Sequence, residues 1–229
     1  MRGDAPEVPF EGVKLISRFS SRKNMVYLVE RDGQKLILKV FSSDRGETEY
    51  RVLRDAYAAG VPVPRPCERK GRAILMEYVE GRTVSDLVDA GAGPEPVLSV
   101  ASWLARFHRA FAGDDRTVLL KSDAILKNFI VADRTYGIDF ELARRGRPEE
   151  DVGETISFIL DTNPMFTEAK YRLAFGFISR YQAESGIILD HIEESVAKSL
   201  MEAAGFRPGQ RELLYRKAKD LIVLKPFSR

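Results

Sequence analysis

The sequence predicts an α+β fold in two unequal parts: a small β-rich N-terminal part with one helix, and a larger, mainly helical C-terminal part. Three patterns carry this expectation. Three strand-like runs crowd residues 13–41. Apolar residues recur at helical spacing from Val97 to Phe111 and through much of 151–224. A short β-hairpin within residues 121–141 interrupts the helices, with polar residues at both of its mouths. The 229 residues suffice for one large domain or for two small lobes sharing a cleft. The division falls at residues 1–79 and 80–229.

Composition excludes several classes. An apolar content of 44% supports a real core, and a net charge of +2 implies no global polyelectrolyte. The single cysteine, Cys67, rules out a disulfide framework and a cysteine zinc site within the chain. No apolar run reaches the ~18 residues of a membrane span, and no signal peptide opens the chain, so a cytoplasmic protein is expected. Asn and Gln number three each beside abundant charge of both signs, a pattern that fits a thermophile.

Residues 1–9 read as a loose arm. Val13–Phe19, Met25–Arg31 and Lys35–Phe41 read as strands, the last two joined by an Asp32-Gly33 hairpin signal. A helix follows from Asp44 to Ala59, with Asp44 and Glu47 spaced as a capping box and Gly60 and Pro62 marking the stop. Glu49, Val52, Leu53 and Ala56 share one face of it. A carboxylate on that apolar face needs a cation, because an unpaired buried charge costs about 3–5 kcal/mol. Lys39, alone in the apolar run Leu36–Phe41, is the available partner. Pro62, Pro64 and Pro66 form a stiff extended connector.

A strand over Ala73–Tyr78 comes next, then a short helix over Thr83–Ala90 with Thr83 as N-cap. Gly91–Pro96 reads as a linker. His108 lies on the buried face of the 97–111 helix, where a hydrogen-bonded structural role is expected; with His191 far along the chain, no metal or nucleophile cluster forms around histidine. Helices are expected over Thr167–Ser185, Asp190–Ala204 and Gly209–Leu224. From Arg207 to Arg229 there are seven basic residues against two acidic ones, either a solvated face or a phosphate-backbone contact.

The central stretch KSDAILKNFIVADRTYGIDFE carries the chemistry. Asp123 precedes Asn128 by five residues, then two short strands flank a turn at Asp133–Arg134, and Asp139-Phe140 follows. Two carboxylates and a carboxamide would meet at one end of the hairpin. Such hard oxygen ligands hold Mg²⁺ together with substrate phosphates.

Asp-x-x-x-x-Asn, a strand, then Asp-Phe resembles the catalytic loop and metal turn of the protein-kinase-like superfamily. Lys121-Ser122 replaces the usual residues before the catalytic Asp, and Glu141 replaces the usual Gly. The resemblance is therefore to the atypical branch, the RIO and KEOPS-kinase-like group, and in size to an archaeal tRNA kinase. It implies a bilobal fold, ATP and Mg²⁺ as cofactors, and these roles. Asp123 orients the attacking hydroxyl, Asn128 and Asp139 hold the metal, and Lys39, paired with Glu49, reaches the phosphates. Ser20, Ser21, Arg22, Lys23 and Asn24 stand in for the glycine-rich phosphate loop. Leu75–Gly81 resembles the hinge, with the Glu77 and Val79 backbone at the adenine edge. Val26 and Ile37 would cover the ring and Ile130 would lie beneath it. Asp151 resembles the residue that braces the catalytic loop; a simple N-cap is the alternative.

Three acceptor classes stay open. Only about ten residues separate Asp139 from the next helix, and no peptide-anchoring motif is present. Arg144, Arg145, Arg147 and the basic C-terminal segment favour RNA, with a tRNA ribose 2′-hydroxyl as acceptor. A protein or small-molecule kinase is the second class. An ATP-binding scaffold or slow ATPase, with a protein partner, is the third.

Overall fold

The computed structural model describes residues 9–21 and 23–227. Nearly all of the expected N-terminal arm, together with Arg22 and Arg229, lies outside them.

The N-terminal part is a five-stranded antiparallel sheet with one helix. Strands β1 (Lys14–Phe19), β2 (Met25–Arg31) and β3 (Gln34–Val40) precede α1 (Gly46–Ala58); β4 (Pro66–Lys70) and β5 (Ala73–Glu77) follow it. The strand order is β1-β2-β3-β5-β4. The third proline of the connector thus opens a strand the sequence did not reveal. Its place is consistent with chemistry: β4 is an edge, where a proline at the first position leaves no ladder bond unmade.

The sheet's register sorts its side chains. Val26 pairs with Lys39 and Lys39 with Ile74, while Leu28 pairs with Ile37 and Ile37 with Met76. Paired residues share a face, and alternate residues along a strand share it too. Val26, Leu28, Ile37, Lys39, Ile74 and Met76 therefore face one way. Tyr27, Val29, Leu36, Leu38, Ala73 and Leu75 face the other, where Phe10 covers them in a separate apolar cluster.

Helix α1 begins one residue later than the capping-box spacing suggests. Its N-cap is Arg45, without a side-chain cap bond. The carboxylate of Asp44 instead meets Arg72 at 3.2 Å. An ion pair to a distant arginine has taken the oxygen that local spacing assigned to the helix. The expected inner face holds: Glu49, Val52, Leu53 and Ala56 are buried.

The C-terminal part starts with β6 (Arg82–Thr83), α2 (Val84–Asp89) and α3 (Glu95–Ala110). Thr83 caps α2 by accepting the Asp86 N–H at 3.0 Å. Then come β7 (Val118–Leu120), a 3-10 turn at Leu126–Asn128, and the hairpin of β8 (Phe129–Val131) and β9 (Thr135–Gly137). Strand β10 (Arg144–Gly146) pairs with β7 and leads into α4 (Pro148–Asp161). Helices α5 (Glu168–Ser185), α6 (Ile192–Phe206) and α7 (Arg211–Leu224) complete the chain. Helix α3 runs through the core: Trp103 stacks on Phe107, and both pack against Phe140. Gly137 is required there, since a Cβ on it would stand 2.3 Å from the Trp103 ring. Among the described residues no helix is long and apolar enough to cross a membrane.

Candidate active site

The site forms where the sheet meets the β8–β9 hairpin. Lys39 points from β3 to the buried face of α1 and lies 2.6 Å from Glu49. The same ammonium lies 2.9 Å from Asp139, one hundred residues away in sequence. Burial alone lowers a lysine pKa, but the Glu49 and Asp139 carboxylates overcome it and hold Lys39 above its ordinary value. Burial likewise raises Asp139, and Lys39 reverses that, so its carboxyl titrates below the usual range. Both members of the Lys39–Asp139 pair are thus charged at neutral pH.

Asp123 and Asn128 form the second half. The Asn128 Nδ2 donates to the Asp123 carboxylate at 2.8 Å and to its carbonyl at 3.0 Å. That orientation leaves the Asn128 Oδ1 without a protein donor among the described residues. A free carboxamide oxygen beside carboxyl oxygens fits a hard divalent cation. The Asn128 Oδ1 and the Asp139 carboxylate are the hard oxygen donors that would hold Mg²⁺, which would neutralise and orient the phosphates of a bound nucleotide. Backbone strain concentrates here: Ser122, Asp123 and Asp139 are non-glycine residues at φ 54°, 147° and 65°. Each such residue costs about 1–3 kcal/mol and persists only where its surroundings over-determine it.

Lys121 supplies part of that constraint. It is wholly buried, and its Nζ donates to the Asp123 carbonyl at 2.9 Å and the Asp139 carbonyl at 3.1 Å. One cation thus ties the catalytic-type loop to the metal-type turn. Burial pushes its pKa below that of an ordinary lysine, against the pull of Asp139, Asp123 and Asp151. The ammonium also lies over the rings of Phe129 and Phe140. Sequence reasoning noted Lys121 only as a departure; nothing in its neighbours announces two backbone carbonyls as partners.

Asp151 lies within α4, whose N-cap is Arg147, so the N-cap alternative does not hold. Its carboxylate accepts the N–H of Lys121 at 2.6 Å and of Ser122 at 2.9 Å. His108 reaches the same carboxylate at 3.1 Å and the Tyr181 hydroxyl at 2.8 Å. The neutral ring with its proton on Nε2 satisfies both contacts. His108 is therefore a buried structural residue, as its helical position indicated.

The nucleotide-facing residues divide. Val26 and Ile37 share the sheet face of Lys39. Phe19 pairs with Val26 and so shares it too, a partly exposed apolar side chain that sequence reasoning passed over. Ile130 touches the hinge: a Cβ on Gly81 would be 2.8 Å from it and 2.3 Å from the Val131 carbonyl. Val79 makes no turn or loop backbone hydrogen bond among the described residues. The Glu77 N–H, however, bonds the Arg65 carbonyl at 2.9 Å, which removes that donor from the adenine edge.

The phosphate-loop expectation needs a larger correction. Ser20 and Ser21 are exposed, and Arg22 lies outside the described residues. Asn24 is buried with both ends of its amide engaged. Its Nδ2 donates to Glu141 at 2.5 Å and its Oδ1 accepts the Ser42 N–H at 3.3 Å. Asn24 acts as a tie between the two parts of the chain rather than as a free phosphate ligand. Glu141, in the usual glycine position, joins Glu49 and Asp139 in a trio whose carboxylate oxygens lie within 4.8 Å of one another.

Of the expected RNA-facing arginines, Arg144 pairs with Glu150 at 2.6 Å and Arg147 with Glu149 at 3.2 Å. Arg145 donates to the Phe111 carbonyl at 2.6 Å. All three hold local structure. In the C-terminal segment Arg207 pairs with Asp161 at 3.0 Å, while Arg216, Lys219 and Lys225 are exposed on and just after α7.

This fold has many solved counterparts. A choline kinase from Cryptosporidium parvum superposes with a TM-score of 0.69 at 12% identity, over 96% of this chain and 92% of that one. The amicoumacin kinase hAmiN superposes with a TM-score of 0.68 at 15% identity, over 95% and 90%. The class is thus a bilobal protein-kinase-like fold with a sheet-based first part and a helical second part. The phosphotransferase enzyme family model matches residues 15–117. The EKC/KEOPS complex subunit BUD32 of Encephalitozoon cuniculi is 30% identical over 131 residues, which span 57% of this chain and 60% of that protein. A "probable serine/threonine-protein kinase BUD32 homolog" of Archaeoglobus fulgidus is 26% identical over 185 residues, 80% of this chain and 85% of that one. In sequence and in fold the chain is similar to atypical protein-kinase-like proteins.

Proposed function

We propose that the protein is an ATP-dependent kinase that transfers the γ-phosphoryl group to a hydroxyl, with a ribose 2′-hydroxyl of tRNA as the acceptor. One observation carries the kinase reading: Lys39 joins Glu49 to Asp139 while Asp123 and Asn128 pair beside them. Lys39 would meet the nucleotide phosphates, and Asp123 would accept or orient the proton of the attacking hydroxyl. The acceptor oxygen forms the new P–O bond, the β–γ bridging bond breaks, and ADP leaves. Val26, Ile37 and Phe19 would cover the base and Ile130 would lie beneath it.

The RNA reading rests on what flanks the site. Between Asp139 and α4 only β10 intervenes, which leaves little chain for a peptide platform. Only α2 and α3 lie between hinge and catalytic-type loop, too few for the deep pocket of a metabolite kinase. The exposed cations of α7 suit a phosphate backbone better than the three paired arginines do. The name of the Encephalitozoon relative, a complex subunit, supports a protein partner as a second feature, and that of the Archaeoglobus relative, a probable serine/threonine-protein kinase, keeps a protein acceptor as the alternative.

The test incubates the protein with γ-labelled ATP and, separately, tRNA, a denatured protein mixture and a metabolite pool. Label on tRNA that is lost with Asp123→Ala supports the proposal. Label confined to protein overturns the RNA acceptor, and hydrolysis without any labelled acceptor overturns the transferase. RNA affinity should fall steeply with salt if α7 makes the contact.

A further inference from the structure

Helix α4 grips the loop that carries Asp123 with three side chains on one face. Asp151 takes the N–H groups of Lys121 and Ser122. Thr155 donates its hydroxyl to the Ala124 carbonyl at 2.6 Å. Between them Glu154 accepts the Ala124 N–H at 2.7 Å. The spacing i, i+3, i+4 places all three on the same side of the helix. Asp123, at φ 147°, is thus held between a pinned Ser122 and a pinned Ala124.

We propose that Glu154 is a positioning residue: its ionised carboxylate fixes the Ala124 N–H and thereby the backbone that aims Asp123, and its protonation loosens that hold. Asp151 suits this part less, because His108 and two loop amides already engage its carboxylate and its side chain is almost wholly buried. Glu154 instead lines a polar cavity of about 220 Å³ between α4, β10 and α6, open to solvent. Glu154 is half-buried there, so proton exchange with solvent is available to it.

The groups facing Glu154 are mixed. Asp151 and Glu150 stand on its own helix, Asp123 and Lys121 on the loop, Arg144 on β10, and Lys198 and Glu202 on α6. Arg144 is committed to Glu150, and no cation forms an ion pair with Glu154 among the described residues. Burial pushes its carboxyl up to about 7; the Ala124 N–H and Lys121 oppose this, and the charges of Asp151 and Asp123 add to it. A group so placed changes charge within the physiological range, where the charge-assisted bond to Ala124 is either made or weakened.

The consequence for turnover rests on the kinase reading; the geometry of the brace does not. The Ala124 amide resonance of ¹⁵N-labelled protein should therefore be followed across pH in the full-length chain and in Glu154→Gln. The expected result is a downfield proton shift on raising pH, with a midpoint near 7, absent in the variant. In the tRNA-labelling assay kcat should follow the same midpoint. Glu154→Gln should flatten the acid limb and lower the plateau about ten-fold, leaving KM for ATP unchanged. An Ala124 amide indifferent to pH, or one that titrates equally in the variant, overturns the proposal. So does an unchanged acid limb in Glu154→Gln. If the amide titrates as expected and no substrate is ever phosphorylated, the transferase reading fails and the brace stands.

Discussion

The ammonium of Lys39 lies 2.6 Å from the carboxylate of Glu49, with both side chains almost wholly removed from water. Neither charge is tolerable alone in that setting. Replacing Lys39 by Ala leaves Glu49 buried without a partner and should destabilise the fold by about 3–5 kcal/mol. The double substitution Lys39→Met with Glu49→Leu should restore most of that loss, because two desolvated charges disappear together. Urea unfolding of the set decides it: equal losses in the single and double variants would show that the pair contributes packing only.

Metal dependence should reside in Asn128 and Asp139. Asp139→Asn and Asn128→Ala are expected to abolish the gain in nucleotide affinity that Mg²⁺ confers, while binding of the nucleotide itself persists weakly through the sheet face. Calorimetric titration with a non-hydrolysable ATP analogue, with and without Mg²⁺, measures this. A metal-dependent gain that survives both changes would move the ion to other ligands, the Glu49–Asp139–Glu141 trio being the alternative donor set.

Lys121→Met keeps length and removes the donor. The Asp123 carbonyl retains the Asn128 amide, but the Asp139 carbonyl loses Lys121. One buried acceptor left unsatisfied costs about 1–3 kcal/mol. Denaturant midpoints should shift by that amount, and the strained turn at Asp139 should exchange its amides faster. A neutral result would mean that water replaces the ammonium without loss.

Gly137→Ala should cost about 1–3 kcal/mol through overpacking, because the new methyl meets the Trp103 ring. Trp103 is the sole tryptophan, so its fluorescence reports the displacement directly. An unperturbed spectrum and midpoint would show that the ring yields freely.

Stability should carry a pH signature of Glu154. Its carboxyl is raised from 4.5 to about 7 in the folded chain, so the native state holds a proton that the unfolded state has released. Stability attributable to this group is therefore full below 4.5 and falls as pH rises through about 7. Glu154→Gln removes that slope, so it should gain on the parent protein as pH rises. A constant difference between the two across that interval would contradict the raised pKa. The charge that holds the loop for function is thus one the fold tolerates at a cost in stability.

Much of the molecule was legible because local rules are strong. Thr83 caps α2 as its residue type and position require, and the α1 face carrying Glu49 follows from helical spacing. The need of Glu49 for a cation pointed to Lys39 before any contact was seen. Where the reading slipped, a distant partner had displaced a local one. Asp44 turned from its helix to Arg72. Asn24, expected beside phosphates, is held by Glu141 across 117 residues.

The sequence by itself determined the three N-terminal strands and most of the helices, and that Lys39 and Glu49 must meet. Apolar period and desolvation cost act on neighbours along the chain and are written there. Tertiary structure alone decided that Lys121 joins the carbonyls of Asp123 and Asp139, and that Glu154 holds the loop from α4. Those partners are backbone groups, which every residue carries alike. A buried charge seeks them by proximity after folding, and no spacing of side chains encodes the choice.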